Sequence, residues 1–171
     1  MSVGDFNTKV FAMVTASRST LVDFVRNHAR IRPGFNALLD HCKKNGIEFV
    51  VVSNGLDFYI DFILTGLGIE NIEIIAAKTE FSPKGMKVKY LSPDGSILMD
   101  RFKEVYTKLY TDRGHRVIYI GNGLSDFPSA RLSARIFARD ELIDCCKEAG
   151  VSFTPFEDLN DVVKGLDGLK P

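Results

Sequence analysis

The most constraining feature of this chain is an apolar run that ends at a glycine and opens into a short polar loop. Residues 117–120 are typical of a buried strand, and a helical pattern starts at Pro128. In open α/β sheets, ligands bind just beyond the carboxyl ends of the strands. The loop carries Asn122, Ser125 and Asp126, whose oxygen atoms are hard ligands of the kind that Mg²⁺ prefers. The sequence therefore predicts a site at the end of this strand.

The same arrangement occurs once more, further upstream. Residues 49–52 form an apolar run that enters Ser53-Asn54-Gly55, and a helical pattern follows from Leu56. A hydroxyl group, uncovered backbone amides and the N-terminus of a helix together favour anion binding. A turn in which the serine caps the helix is the alternative interpretation. Together, the two strand ends predict a phosphate-and-metal site.

The rest of the chain alternates between strand and helix patterns. Strands are predicted over residues 48–52, 72–76, 117–120, 134–138 and 152–153. Helices are predicted over residues 5–17, 20–29, 35–44, 56–67, 101–110, 140–149 and 156–166, and a further one begins at 128–132. Residues 77–97 differ, because an alternating segment at 86–90 and a Pro-Asp-Gly turn predict a β-hairpin. The alternation of elements predicts an α/β fold with a parallel, helix-covered sheet.

The composition of the chain argues against some classes of binding partner and some locations. The 22 basic and 22 acidic residues cancel, so neither nucleic acid nor an anionic membrane is expected as a partner. No apolar run is long enough to span a bilayer. Three cysteines, two of them adjacent, do not form a disulfide framework, and reduced thiols predict a cytoplasmic protein. The three histidines lack the spacing of metal ligands and are interpreted as structural or surface residues.

Two charged residues each allow two interpretations. Lys103 lies early on the helix that precedes the 117–120 strand, and a single lysine on a helix is usually solvated. Asp126 suits a Mg²⁺ ligand, but its position also suits the N-cap of the helix that starts at Pro128. Neighbouring residues alone do not decide between these roles.

Taken together, these motifs resemble the haloacid dehalogenase (HAD) superfamily of aspartate-nucleophile phosphatases. The resemblance points to the phosphoserine-phosphatase-like branch and, within it, to the methionine-salvage phosphatases. The matching segments are I-R-P-G-F at 31–35, V-V-S-N-G-L-D-F at 51–58, F-A-R-D-E-L at 137–142, and the spacing from Lys103 to the Gly-Asn-Gly loop. The match covers the chain from about residue 30 onward and is weaker before it.

The resemblance implies a Rossmann-like, three-layer parallel sheet as a HAD-like core over residues 31–171. It implies a hairpin excursion at 77–97 and the remnant of a helical cap at 1–30. The implied activity is a Mg²⁺-dependent phosphomonoesterase for a small phosphorylated metabolite. In that chemistry one aspartate forms an aspartyl-phosphate, and a second protonates the leaving group and then activates water. Asn122 and Asp126 would hold the Mg²⁺.

The resemblance also assigns roles around the transferring phosphoryl group. Ser53 would hold one phosphoryl oxygen, with help from the backbone amides of Asn54 and Gly55. Lys103 would supply a fixed positive charge on the transferring group. These roles come from the resemblance, because the residues taken singly have ordinary structural explanations.

Two departures from the family pattern count against catalysis. No D-x-D-x-T/V motif follows an apolar strand ahead of Ser53, and the only echo is Asp5-Phe6-Asn7-Thr8. We interpret Asp5 as part of a helix start, since only four residues precede it and Asn7 replaces the general acid. Asn122 stands where the family usually has aspartate, so it brings no negative charge to a metal, and we expect a lower metal affinity.

The missing motif also predicts an incomplete sheet. In this fold the nucleophile strand lies between the Ser53 strand and the 117–120 strand, so both would expose unpaired edges. We expect that the chain begins inside a longer protein and that it shows little or no turnover as it stands. The alternatives are a non-catalytic phosphate- or partner-binding protein and one half of an assembly completed by another polypeptide. Exposed edges would also favour self-association.

Overall fold

The computed structural model describes residues 3–69 and 72–168, and the chain divides into two compact units. The first unit comprises Met1–Arg30 and Val50–Tyr106, and the second comprises Ile31–Phe49 and Thr107–Pro171. The outermost residues of the predicted cap and core, 1–2 and 169–171, lie outside the described residues.

The described chain opens with three helices and then alternates between strands and helices, apart from three consecutive strands in the first unit. The helices are α1 Val3–Phe11, α2 Arg18–His28, α3 Phe35–Lys44, α4 Asp57–Gly66, α5 Phe102–Asp112, α6 Phe127–Ala130, α7 Glu141–Glu148 and α8 Leu159–Asp167. The strands are β1 Val50–Leu56, β2 Glu73–Glu80, β3 Lys87–Leu91, β4 Ile97–Leu98, β5 Ile118–Gly121, β6 Arg135–Ala138 and β7 Thr154–Pro155. A short 3₁₀ turn, Leu124–Asp126, precedes α6. None of the described helices is both long and apolar enough to cross a membrane.

The first unit is built on a four-stranded sheet with the order β1-β2-β3-β4. β1 and β2 are parallel, whereas β3 and β4 run antiparallel to their neighbours, which confirms the hairpin predicted within residues 77–97. Met86, Val88 and Tyr90 are buried because every second residue of a strand faces the same side. The alternating pattern thus identified the buried face of the hairpin.

A bulge interrupts β1 at the predicted anion loop. Val52 pairs with Ile75 and Leu56 pairs with Ala77, so four steps along β1 match two steps along β2. The segment Ser53-Asn54-Gly55 lies between these paired positions and is displaced from the regular ladder. The strand therefore reaches further than the predicted 48–52, and helix α4 begins directly after it at Asp57.

The second unit contains a three-stranded parallel sheet with the order β5-β6-β7. Helix α7 packs its Leu142 and Cys146 against β6, and helices α3 and α8 pack together around Phe137. The three residues just named are fully shielded from solvent. These contacts explain the apolar spacing of the predicted helices, since only the inward stripe is buried.

Most predicted elements are confirmed, but the first helix is wrong in length. The pattern predicted a helix over 5–17, and α1 ends at Phe11. Ser17 is the reason, because it is the N-cap of α2, where its side chain accepts a hydrogen bond from the Thr20 N–H at 3.2 Å. An N-cap residue has extended backbone angles, so the chain leaves the helical conformation before it. The last strand also lies at 154–155, where it pairs with β6, and not at 152–153.

Within the described part of the chain, each sheet ends in an apolar strand that pairs with one neighbour. β1 pairs with β2 and β5 pairs with β6, and each is the outermost strand of its own sheet among the described residues. The valines at 50–52 and the residues at 118–121 are only partly buried. Parallel strands are usually paired on both sides, so these two edges are unusual.

Candidate functional site

The bulge in β1 brings a hydroxyl and a backbone donor together. Ser53 Oγ accepts a hydrogen bond from the Gly55 N–H at 3.0 Å, which closes a tight turn. Leu56 is the N-cap of α4, and its side chain makes no capping bond, so Ser53 does not cap this helix. Within the first turn, the N–H of Phe58 is bonded to Asp57 Oδ1 at 2.9 Å. The turn at Ser53 therefore comes directly before the N-terminal backbone donors of α4.

The side chain of Tyr59 packs close to the backbone at position 55. A Cβ atom at this position would collide with the hydroxyl of Tyr59 and would lie 3.1 Å from Ser53 Oγ. Any side chain at this position would crowd the turn that Ser53 and Gly55 form. The glycine thus leaves room for the Tyr59 hydroxyl beside this turn.

Two residues outside the predicted site hold the same loop. The backbone carbonyl of Asn54 accepts a hydrogen bond from the Tyr90 hydroxyl at 2.6 Å and another from Asn7 Nδ2 at 3.2 Å. Asn7 Nδ2 also donates to the Tyr90 oxygen at 2.8 Å. The alternation of the hairpin indicated that Tyr90 points inward, but no local pattern indicated its partner.

Lys103 lies in the first turn of α5 and belongs to the same unit as Ser53. It is partly buried, unlike Lys108 on the same helix, which is exposed and pairs with Asp112 at 2.8 Å. Lys78 also brings positive charge to the start of α4, where its Nζ lies 3.5 Å from Asp57 Oδ2. Lys108 and Asp112 are therefore surface residues, whereas Lys103 is more enclosed.

Asp5, the candidate echo of the nucleophile, lies within helix α1. Its Oδ2 accepts a hydrogen bond from Lys9 Nζ at 3.2 Å, one helical turn away. The interpretation of Asp5 as part of a helix start is confirmed, since α1 begins at Val3.

In the second unit, Asp126 organises the loop after β5. Its Oδ2 accepts hydrogen bonds from the backbone N–H groups of Asn122 and Gly123, both at 2.9 Å. Its Oδ1 accepts a hydrogen bond from the Tyr119 hydroxyl at 2.9 Å. The side chain is 5% exposed. Asp126 also occupies the N-cap position of α6, but its side chain makes no capping bond there, so the carboxylate serves the loop before it.

Tyr119 is a participant that sequence reasoning missed, because it was assigned to the buried strand alone. Burial raises the pKa of its hydroxyl far above the usual range, and the neighbouring Asp126 carboxylate adds to the shift. The hydroxyl therefore keeps its proton at neutral pH and remains a hydrogen-bond donor.

Asn122 is exposed, and its Nδ2 lies 3.4 Å from Asp140 Oδ2. Asp140 follows β6 and has a φ of 48°, a value that costs energy for any residue except glycine. Its carboxylate is also held by Arg139 Nε at 2.9 Å, which lowers the pKa of Asp140. Asp140 was not predicted as a site residue, although the 137–142 segment carries part of the family resemblance.

Asn122 and Asp126 fit a weakly held Mg²⁺ with few protein ligands rather than an ion surrounded by protein ligands. Over residues 3–69 and 72–168, no three His, Cys, Asp or Glu side chains come together in a way that could hold a metal ion. Asp126 already accepts three hydrogen bonds, and Asn122 offers an uncharged amide oxygen. Mg²⁺ commonly keeps several waters and takes only one or two protein ligands, so a loosely bound ion is compatible with this loop.

The structure thus groups the predicted residues into two sets. Ser53, Asn54 and Gly55 form one turn in the first unit, which also contains Lys103. Asn122 and Asp126 form one loop in the second unit.

Comparison with known proteins assigns the chain to a family. Residues 3–131 match the model of the haloacid dehalogenase-like hydrolases. This match covers more than half of the chain, and the chain therefore belongs to that family.

Two relatives align with nearly the full chain. One is a 2-hydroxy-3-keto-5-methylthiopentenyl-1-phosphate phosphatase of Exiguobacterium sibiricum, 31% identical over 92% of this chain and 74% of its own length. Another, with the same name, from Bacillus cereus, is 30% identical over 99% of this chain and 80% of its own length.

The fold agrees with solved structures of the same type. A phosphoserine phosphohydrolase-like protein from Francisella tularensis superposes with a TM-score of 0.67 at 20% identity, over 97% of this chain and 78% of its own. At this identity the likeness concerns the fold, and it confirms the predicted Rossmann-like α/β class.

Proposed function

We propose that this chain is a HAD-type phosphatase scaffold that binds the phosphoryl group of a small phosphorylated metabolite. The observation that carries the proposal is the turn in which Ser53 Oγ and the Gly55 N–H meet at 3.0 Å, directly before the N-terminus of α4, where the N-cap residue Leu56 makes no side-chain capping bond. A hydroxyl, a backbone N–H beside it and a helix dipole favour a bound phosphoryl oxygen at that point. The family match supports the same chemistry.

Each predicted residue has a role in this proposal. Ser53 and the amides of Asn54 and Gly55 would bind phosphoryl oxygens, and Lys103 would offset their negative charge. In the second unit, Asn122 would hold Mg²⁺, with Asp126 fixing the loop that presents it. When bound, the ion would withdraw charge from a phosphoryl group.

The names of the relatives suggest the substrate class. Both relatives act, by name, on 2-hydroxy-3-keto-5-methylthiopentenyl-1-phosphate, and we propose a small metabolite phosphate of comparable size for this chain. We also propose a cytoplasmic location, because Cys42, Cys145 and Cys146 are free thiols. We propose that the chain binds neither nucleic acid nor membranes, because its formal net charge is zero.

We further propose that this polypeptide turns over slowly or not at all. Asp5, the residue that the family pattern would offer as a nucleophile, lies in helix α1 and pairs with Lys9. A carboxylate that forms an aspartyl-phosphate has to face the phosphoryl group, whereas this one is engaged along its own helix.

Binding of inorganic phosphate tests the proposal. Titration calorimetry in the presence of Mg²⁺ is expected to show binding to the wild-type chain and about tenfold weaker binding to Ser53→Ala, since one hydrogen bond to a charged ligand is lost. Ser96→Ala, at the exposed turn of the hairpin, is the matched control and is expected to bind as the wild type does. Hydrolysis of p-nitrophenyl phosphate is expected to stay near background for all three proteins.

Two results would contradict this view. Equal phosphate affinity of the Ser53→Ala and Ser96→Ala proteins would remove Ser53 from the site. Robust hydrolysis that disappears in Asp5→Asn would show that Asp5 is a nucleophile after all.

A second candidate function, partner binding through sheet edges, is favoured by the one-sided pairing of β1 and β5. Neither edge carries a proline or a lysine within the strand, the usual devices that block strand addition. Another polypeptide segment, or a second copy of this chain, could add to either edge through backbone hydrogen bonds.

Light scattering combined with hydrogen exchange tests this candidate. If an edge is covered in an assembly, the measured mass is expected to exceed the 19.1 kDa of one chain, and the amides at 50–52 or 118–121 are expected to become protected as concentration rises. A constant 19.1 kDa species with rapidly exchanging amides in both segments would reject strand addition between copies.

A further inference from the structure

The carbonyl group of Asn54 is fixed by two side chains from distant parts of the first unit. The Tyr90 hydroxyl donates to it at 2.6 Å from strand β3, and Asn7 Nδ2 donates at 3.2 Å from helix α1. These donors lie 36 and 47 residues away along the chain. The carbonyl is therefore held by tertiary contacts and not by the bulge alone.

Fixing this carbonyl also fixes the next N–H. The peptide bond between Asn54 and Gly55 is trans, so its C=O and N–H point in opposite directions. With the carbonyl turned toward Tyr90 and Asn7, the Gly55 N–H is turned to the other side, where it bonds Ser53 Oγ. A flip of this peptide would place a carbonyl oxygen where a donor now lies, and an anion would then be repelled.

Tyr90 is suited to hold the peptide in this orientation. Its side chain is 2% exposed, and its ring packs edge-on against Phe102 with the ring centroids 5.0 Å apart. Burial raises the pKa of the hydroxyl, which therefore stays protonated and continues to donate. Asn7 adds a second donor and also bonds the Tyr90 oxygen, so the three groups form a closed network.

We infer that Tyr90, with Asn7, is a positioning residue that orients the Asn54–Gly55 peptide so that the Gly55 N–H, which bonds Ser53 Oγ, stays on the side of the turn where a phosphoryl oxygen would bind. The inference rests on the proposed function, since it gives the hairpin a role in the phosphate-binding turn. Neither residue touches the phosphoryl group, and both act through the peptide plane. The hairpin is thereby a support of the anion loop and more than an edge extension of the sheet.

Tyr90→Phe tests the inference, with Tyr106→Phe as the matched control. Tyr106 also packs against Phe102, and its hydroxyl donates to the Leu91 carbonyl at 2.9 Å, so it supports the same hairpin without contacting the loop. Titration of the full chain with inorganic phosphate is expected to show about tenfold weaker binding for Tyr90→Phe and unchanged binding for Tyr106→Phe. Thermal unfolding is expected to shift by similar amounts in both variants.

A second readout separates this inference from the proposed function. In the ligand-free protein, the amide resonance of Gly55 is expected to move in Tyr90→Phe and to stay in place in Tyr106→Phe. If the wild type binds no phosphate, the proposed function fails, and a moved Gly55 resonance still supports the positioning role. The positioning role would be overturned if the Gly55 resonance did not move in Tyr90→Phe. It would also be overturned if Tyr90→Phe and Tyr106→Phe both bound phosphate with equal affinity.

Discussion

Replacing Asp126 with alanine is expected to lower the free energy of unfolding by roughly 3 kcal/mol or more, since each buried group left without a partner costs about 1–3 kcal/mol. The carboxylate accepts bonds from the N–H groups of Asn122 and Gly123 and from the Tyr119 hydroxyl, and the side chain is 5% exposed. Alanine would leave all three donors unpaired in a region that water reaches poorly. Asp126→Asn is expected to cost less, because its amide keeps one accepting oxygen.

Urea unfolding of the metal-free protein measures this effect. Asp112→Ala is the matched control, because the Asp112 carboxylate is exposed and pairs with Lys108 on the surface of α5. We expect this control to change stability by less than about 1 kcal/mol. A residue that served only as a metal ligand would not stabilise the metal-free chain, so equal stability of the two variants would favour the metal-ligand role and contradict the structural one.

Gly34→Ala is expected to destabilise the second unit by roughly 3 kcal/mol or more, from left-handed strain and overpacking together. Gly34 has a φ of 85°, and it lies in the 31–35 segment at the start of α3. A Cβ atom there would collide with the backbone N of Asn160 and lie 2.7 Å from the carbonyl carbon of Leu159. Backbone atoms cannot rotate away, and the neighbouring bond from the Leu159 N–H to the Pro33 carbonyl, 2.9 Å long, would be strained.

Gly46→Ala separates the two contributions. Gly46 has a φ of 64°, but a Cβ atom there would meet nothing within 4 Å. We expect this control to lose about 1 kcal/mol from the backbone conformation alone. Denaturant unfolding of both variants gives the comparison, and a loss in Gly34→Ala no larger than in Gly46→Ala would show that α3 and α8 are not packed as closely as described.

The sequence was a good guide to the elements, because their periods are local properties. The apolar runs at 49–52 and 117–120 identified β1 and β5, and the alternation at 86–90 identified the hairpin. The length of α1 was misjudged because a helical spacing of apolar residues continued past the point where the cap of α2 required an extended chain.

The candidate site was predicted unevenly. Residue type and position after a strand were enough to identify the Ser53 and Asn122 loops, and the roles of Lys103 and of Mg²⁺ remain predictions. The carboxylate of Asp126 was assigned to a metal or a helix cap, whereas its visible contacts are with the loop backbone and Tyr119. The sequence does not indicate whether an aspartate side chain bonds the backbone of its own loop or faces a ligand.

By itself, the sequence determined the α/β class and the two polar segments that follow apolar strands, because these depend on residue types within a few positions of each other. Only the tertiary structure decided that Tyr90 and Asn7 meet the carbonyl of Asn54. That meeting depends on the register of β3 against β2 and on the packing of α1 against β3. Periods of two and of 3.6 residues specify which face of an element is buried, but they carry no information on which distant polar group lies opposite.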